Sequence, residues 1–257
     1  MPALQALSRE ATSLLDRALA KIERLHRPDE LRHIAAAFDR RTVLEIGGPS
    51  PIFGRALLSV YPRLAACDMV NYASRTLWDG EAQPRVPIRR QFVAEAVDLG
   101  VPDASYDGLL ASHVLEHLAN PLRALNEWQR VVAPGGPLLI VLPQRDRTFD
   151  HRRPVTPLSH VDEDFRRNVG EDDLTHLDEV LALHDARRDR RAGDRAAFAQ
   201  RCRDNARQRG MHHHVFVAGS AIELLEHAGL AIEAVTARRP HHIVMLARTP
   251  VTGEAHR

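Results

Sequence analysis

The stretch Thr42-Val43-Leu44-Glu45-Ile46-Gly47-Gly48-Pro49-Ser50-Pro51 constrains this chain more than any other. A β-branched and apolar run up to an acid reads as a buried strand, and Gly-Gly-Pro-Ser-Pro reads as a turn. Ile52 to Leu58 then resumes at helical spacing, with Pro51 as a first helical residue. A strand that ends in a Gly-rich turn and opens a helix is the nucleotide-binding corner of a doubly wound α/β sheet. Glycine lets a ligand approach the backbone, and a helix N-terminus offers free N–H groups. Tight βα turns occur throughout α/β proteins, so the weight falls on the residues that stand downstream of this one at the right distances.

Four more strand-like runs come after it, with helical segments or short turns between them. Leu64 to Asp68 ends in an acid that lies about 20 residues past the glycine turn, where such a sheet places a carboxylate for a ribose diol. The plainer reading of Asp68 is a strand-end turn residue. Arg90 to Val93 is a third strand, followed by Ala94-Glu95-Ala96, and Tyr106 to His113 is a fourth that leaves on Ser112-His113. A helix from Pro121 to Val132 stops at Pro134-Gly135-Gly136, and Pro137 to Leu142 is an apolar fifth strand closed by Pro143. This alternation predicts a parallel, doubly wound sheet with right-handed crossovers. Ligands then belong at the carboxyl ends of the strands, where Gly47, Asp68, Glu95, Ser112 and Pro143 all fall.

At 257 residues, 44% hydrophobic and 27% charged, the chain suffices for one large α/β domain with an elaboration. A net charge of +1 gives no reason to invoke nucleic acid, and no run approaches the roughly 20 apolar residues of a membrane span. Cys67 and Cys202 lie far apart, and no secretory leader is read at the N-terminus, so a reduced, cytoplasmic protein is expected. Residues 1–40 read as two N-terminal helices, 2–26 and one from Pro28 whose Leu31, Ile34, Ala35 and Phe38 face inward. They pack on the sheet or in a homodimer contact, or form a lid. Residues 41–143 form the core, and 212–248 return to it with a helix at Gly219–Ala228 and a closing pair of strands at Ala231–Thr236 and His242–Ala247.

Between them, 144–211 break the alternation. The part up to His160 holds two prolines, Pro154 and Pro157, and reads as a loop, and residues 171–207 read as helical. From Arg187 to Arg209 there are nine arginines against three aspartates. That is a solvated helix face rather than an RNA patch, because base-stacking aromatics are nearly absent; steering of an acidic or polyhydroxylated substrate is the sharper alternative.

With these residues in view, the chain resembles class I S-adenosylmethionine-dependent methyltransferases. The resemblance is carried by Glu45 to Pro51, Asp68, Glu95-Ala96, Ser112-His113-Val114-Leu115-Glu116-His117 and Arg130-Val131-Val132-Ala133-Pro134-Gly135-Gly136. It implies a Rossmann-like, mostly parallel seven-stranded sheet with an antiparallel last strand and a helical insertion after strand five. It further implies that Glu45, Gly47 and Gly48 cradle the methionine part of S-adenosylmethionine, that Asp68 holds the ribose, and that Met69 lies against the adenine. Glu95 and Ala96 would address the adenine edge, and Ser112, His113 and His117 would border the sulfonium. Pro49 and Pro51 depart from the family, standing where glycines are usual, and proline fixes φ and removes N–H donors. The loop Asp150-His151-Arg152-Arg153-Pro154 also resembles bacterial members linked to polysaccharide and glycan modification.

A hydroxyl acceptor must lose a proton and so needs a base or a metal. Asp150, His151 and His160 are therefore the expected catalytic groups, with Mg or another divalent metal as an option and His212, His213 and His214 as further candidate ligands. Arg145, Arg147, Arg152 and Arg153 are donors to hydroxyls or an acidic group, or else surface charge. The leading expectation is an O-methyltransferase acting on a small molecule or an oligosaccharide, with neither nucleic acid nor membrane as partner. An N-methyltransferase, a nicotinamide oxidoreductase and a non-catalytic cofactor-binding scaffold are the alternatives.

Overall fold

The computed structural model describes residues 28–54, 58–77, 85–189 and 191–251. The expected helix at 2–26 lies outside them. Seven strands form one sheet: β1 Thr42–Ile46, β2 Ala66–Asn71, β3 Ile88–Val93, β4 Gly108–Ser112, β5 Pro137–Pro143, β6 Ala231–Arg238 and β7 His242–Arg248. Their spatial order is β3-β2-β1-β4-β5-β7-β6. The first five run parallel, and β7 runs antiparallel to both β5 and β6. The order reverses at β1 and β4, so a crevice opens at their carboxyl ends.

Both faces of this sheet are covered, which is why its central strands read as nearly unbroken apolar runs. Along β5, Leu138, Ile140 and Leu142 join one core cluster while Leu139 and Val141 join the other. The second cluster takes α1 (Pro28–Ala36), whose Leu31, Ile34 and Ala35, with Phe38 just beyond, point at the sheet as their spacing predicts. The first takes α2 (Pro121–Val131), capped by Asn120, whose side chain accepts from the Arg123 N–H at 3.1 Å. Such a cap is worth about 1 kcal/mol. From the buried face of α2, Trp128 Nε1 donates to the Ala96 carbonyl at 3.0 Å and fixes the loop after β3.

Local expectations shift in four places. β2 runs to Asn71 rather than stopping at Asp68, because its pairing with β1 continues through Ile46 opposite Val70. Of the helix expected from Pro51, the described residues show a 3-10 turn, Pro51–Phe53, with Leu58 N–H on Ile52 O at 2.9 Å, and residues 55–57 lie outside them. A helix, α3 (Leu158–Arg166), begins inside the stretch read as loop. The helical reading of 171–207 resolves into three short pieces, α4 (Leu177–Leu183), α5 (Arg195–Arg203) and α6 (Asn205–Gln208). Gly193, at φ 66°, and the cap from Asp194 Oδ1 to Ala197 N–H restart the chain as α5. Helix α7 (Ala218–His227) then leads into β6. Among the described residues no helix is long and apolar enough to cross a membrane.

Candidate active site at the carboxyl ends of the strands

The turn after β1 is built from beneath. Glu45 is fully buried and points under the turn, where Oε1 accepts from Ser50 N–H at 2.8 Å and both carboxylate oxygens lie within 2.9 Å of the Tyr61 hydroxyl. Burial pushes its pKa up to about 7, against the pull of these hydrogen bonds. Gly47 sits at φ 74°, and a Cβ there would meet Val114 Cγ2 at 2.7 Å; only glycine fits. A Cβ on Gly48 would run into the Glu45 carboxylate. Asn71, at the end of β2, donates Nδ2 to the Gly48 carbonyl at 2.9 Å and ties the two strand ends together.

A cavity of about 520 Å³ opens beside this turn, a size suited to a cofactor and a small acceptor. The carboxyl ends of all five parallel strands reach it, through Gly47, Asn71, Glu95, Ser112 and Pro143. Because β7 is antiparallel, its amino end lies at the same rim and brings His241 and His242. The excursion after β5 forms the opposite wall, with Phe149, Arg188, Arg201, Arg209 and His212 among its lining residues. Arg209 closes this wall onto the sheet: Nη2 bonds Glu95 Oε1 at 2.9 Å, Nη1 stands 3.2 Å from Glu171 Oε2, and the guanidinium lies 5.5 Å from the Tyr72 ring centre.

At the β4 and β5 side the lining is histidine-rich. His212 Nδ1 pairs with Asp150 Oδ2 at 2.6 Å, and Asp150 Oδ1 is held by Arg153 at 3.1 Å. Burial opposes charge on both partners, but their attraction prevails: the His212 pKa is raised and that of Asp150 is lowered to about 2. Arg153, 1% exposed, also donates to the carbonyls of His212 and His213 and to Glu179, so it fixes the path of the histidine run. Beside His212, the His117 ring is T-stacked at 4.4 Å with Nδ1 bonded to the Met211 carbonyl. Burial and the His212 charge push the His117 pKa down to about 4. Glu116 completes the group. It is fully buried, with His113 Nδ1 3.3 Å from Oε1 but out of hydrogen-bond alignment, so neither carboxylate oxygen has a hydrogen-bond partner among the described residues. The ligand atoms of Glu116, His117 and His212 lie within 4.8 Å of one another, as do those of His113, His241 and His242, and either set can take a cation. His113 itself adopts φ 55°, in the left-handed region, as it leaves β4.

Residues 7–235 match the family model described as a methyltransferase domain. The chain belongs to that family. A probable S-adenosylmethionine-dependent methyltransferase of Mycolicibacterium smegmatis is 36% identical over 144 residues, 56% of this chain. The chain spans about half the length of that relative, 52% of it. Among solved structures, an S-adenosylmethionine-dependent methyltransferase from Mesorhizobium loti is 15% identical at a TM-score of 0.49, covering 85% of this chain and 95% of that one. A Burkholderia thailandensis 1,6-didemethyltoxoflavin-N1-methyltransferase, solved with bound 1,6-didemethyltoxoflavin and S-adenosylhomocysteine, is 16% identical at a TM-score of 0.47, covering 94% of this chain and 90% of that one.

Within this methyltransferase domain, Gly47, Glu95, Ala96, Ser112, His113 and His117 line the cavity. Glu45, Gly48, Asp68 and Met69 are not among its lining residues. Asp68 lies mid-strand, fully buried, and is clasped by Arg89, Arg90 and Tyr106, while Met69 points to the other face of the sheet, into its core. The strand-end position expected of Asp68 belongs to Asn71. Asp150 reaches the cavity only through His212. His151 turns to Asp185 at 3.1 Å, and His160 pairs with His176 and Asp164 outside the cavity wall. Arg153, expected as a donor to the acceptor or as surface charge, is instead a buried strut. Asn71, Tyr72, Phe149, Glu116 and the pair His241-His242 line the cavity without having been expected there. Glu116 stands inside a recognised motif, whereas Asn71 carries no signal without the true end of β2.

Proposed function

We propose that this chain is an S-adenosylmethionine-dependent O-methyltransferase acting on a hydroxyl of a carbohydrate or another small polar metabolite, with His212 as the general base. The cofactor, when bound, supplies an electrophilic methyl group that needs only an acceptor aligned behind it. The chain's own residues fit it. The glycine at 47 leaves room for a ligand against the backbone, Asn71 Oδ1 would accept from a ribose hydroxyl, and Glu95 and Ala96 stand where the adenine would lie. Ser112, His113 and His117 would border the sulfonium.

The observation that carries the acceptor reading is the buried Asp150–His212 pair at the cavity wall. An alcohol is a poor nucleophile until a base takes its proton, whereas an amine that is already unprotonated needs no such group. Asp150 is a positioning residue: it fixes the tautomer and orientation of His212 and favours the imidazolium formed on proton uptake. Arg147, Arg188 and Arg201 in the excursion wall suit a polyhydroxylated or anionic acceptor better than an apolar one.

The test is turnover against a panel of sugars, phenols and amines with labelled cofactor. His212→Ala is expected to lower kcat by about 10²–10⁴-fold at unchanged cofactor affinity. Because the His212 pKa is raised above 6.5 in the folded protein, kcat should climb only above that pH; Asp150→Asn should move the rise to lower pH while cutting kcat. Wild-type turnover by His212→Ala, or an exclusive amine acceptor, would remove the proposal.

The buried Glu116 carboxylate, which makes no hydrogen bond among the described residues, favours a second reading, in which a divalent cation held by Glu116, His117 and His212 acidifies the same hydroxyl. Stimulation of metal-depleted, demonstrably folded enzyme by Mg or Mn selects it.

A further inference from the structure

The excursion after β5 is poor in apolar core. Its own buried cluster consists of Val180, Cys202 and Met211. Outside the cavity lining, four potential ligands from three separate segments converge: His160 and Asp164 one turn apart on α3, His176 at the start of α4, and His214 in the run leading to α7. None of the four lines the cavity. His160 Nε2 lies 3.0 Å from His176 Nε2 and 3.3 Å from Asp164 Oδ2, which lies 3.9 Å from His214 Nε2. All four ligand atoms fall within 4.8 Å of one another. Donors around a tetrahedral zinc, each about 2.0–2.1 Å from the ion, stand about 3.3 Å apart.

We propose that His160, Asp164, His176 and His214 form a closed, tetrahedral zinc site that staples the excursion together, separate from the catalytic cavity. Two further features point the same way. His214 is fully buried, and the hydrogen bond of its Nε2, the atom facing Asp164, is a long one, 3.4 Å to the Ala119 carbonyl. Asp164 is 5% exposed, and its ion-pair partners among the described residues are imidazoles, His160 and His214, while its helix is pinned by Asn120 Nδ2 on the Asp164 backbone carbonyl at 3.1 Å. Three imidazoles and one carboxylate are a donor set for zinc rather than for magnesium or calcium, and four protein donors leave no open position, the pattern of a structural site. Such a site supplies folding free energy that a small apolar cluster does not.

Untagged full-length chain, purified without chelator, should carry about one zinc per chain by elemental analysis. Removing the metal should lower the melting temperature, and zinc alone should restore it. His176→Ala and Asp164→Ala should each lose the zinc, whereas Glu116→Gln, in the cavity, should keep it. Cobalt added to the metal-free wild-type chain should give the intense visible absorption of a tetrahedral site, a readout that needs no variant to fold. A weak octahedral cobalt spectrum, absence of zinc with no thermal response to added zinc, or zinc retained by folded His176→Ala would each overturn the proposal.

Discussion

Asp68 shows how a carboxylate gains its character from its neighbours. Burial alone would raise its pKa, but hydrogen bonds from Arg89, Arg90 and Tyr106 outweigh that and bring it down to about 2. A carboxylate depressed below its unfolded value stabilises the fold above pH ~4, and that contribution disappears as pH falls through about 2. Asp68→Ala is therefore expected to cost about 1–2 kcal/mol at neutral pH, discounted for the half-exposed arginines, and to remove this acid-side dependence. Calorimetric unfolding against pH checks it. Cofactor affinity should change by less than about two-fold, because Asp68 does not line the cavity. A large loss of affinity with unaltered stability would return Asp68 to the ribose. Spacing from the glycine turn pointed to Asp68 rather than to Asn71 at the end of β2, because counting along the chain does not reveal where a strand stops.

Among the elements, the turn after β1 carries the most conformational constraint. Its glycine at 47 holds a positive φ against Val114, and its underside is a buried acid bonded to Ser50 and Tyr61. Gly47→Ala should destabilise the protein by about 1–2 kcal/mol through the left-handed backbone and weaken cofactor binding as Val114 is pushed into the cavity. Thermal unfolding and S-adenosylhomocysteine titration together check this; full affinity in a stable variant would show that the turn does not meet the ligand. The two prolines were legible as a departure from a glycine-rich loop. That the chain would answer with one 3-10 turn was not, because the outcome depends on Tyr61 arriving from beyond the turn.

At the scale of the molecule, the cavity exists only because two parts of the chain meet across it. Arg209 holds the excursion to the sheet through Glu95 and Tyr72, with Glu171 steadying it from within the excursion, and the Tyr72 hydroxyl adds a 3.0 Å bond to the Gln208 carbonyl. Arg209→Ala should raise KM for cofactor and acceptor several-fold with a smaller change in kcat, and should make residues 205–212 more susceptible to limited proteolysis; unchanged KM and cleavage would deny Arg209 this closing role. The doubly wound sheet, its five parallel strands and the rim at their carboxyl ends were all determined by residue order alone. Apolar period, turn glycines and helix caps act over a few residues, and the alternation of elements restricts the topology. Which histidines face the cavity was decided only by tertiary structure. Asp150, His151 and His160 are close in sequence, yet one orients His212, one turns to Asp185 and one joins a separate cluster. Their directions follow from the buried Arg153 and from the chain returning at 212–214, contacts roughly sixty residues apart, and no local pattern encodes a partner at that distance.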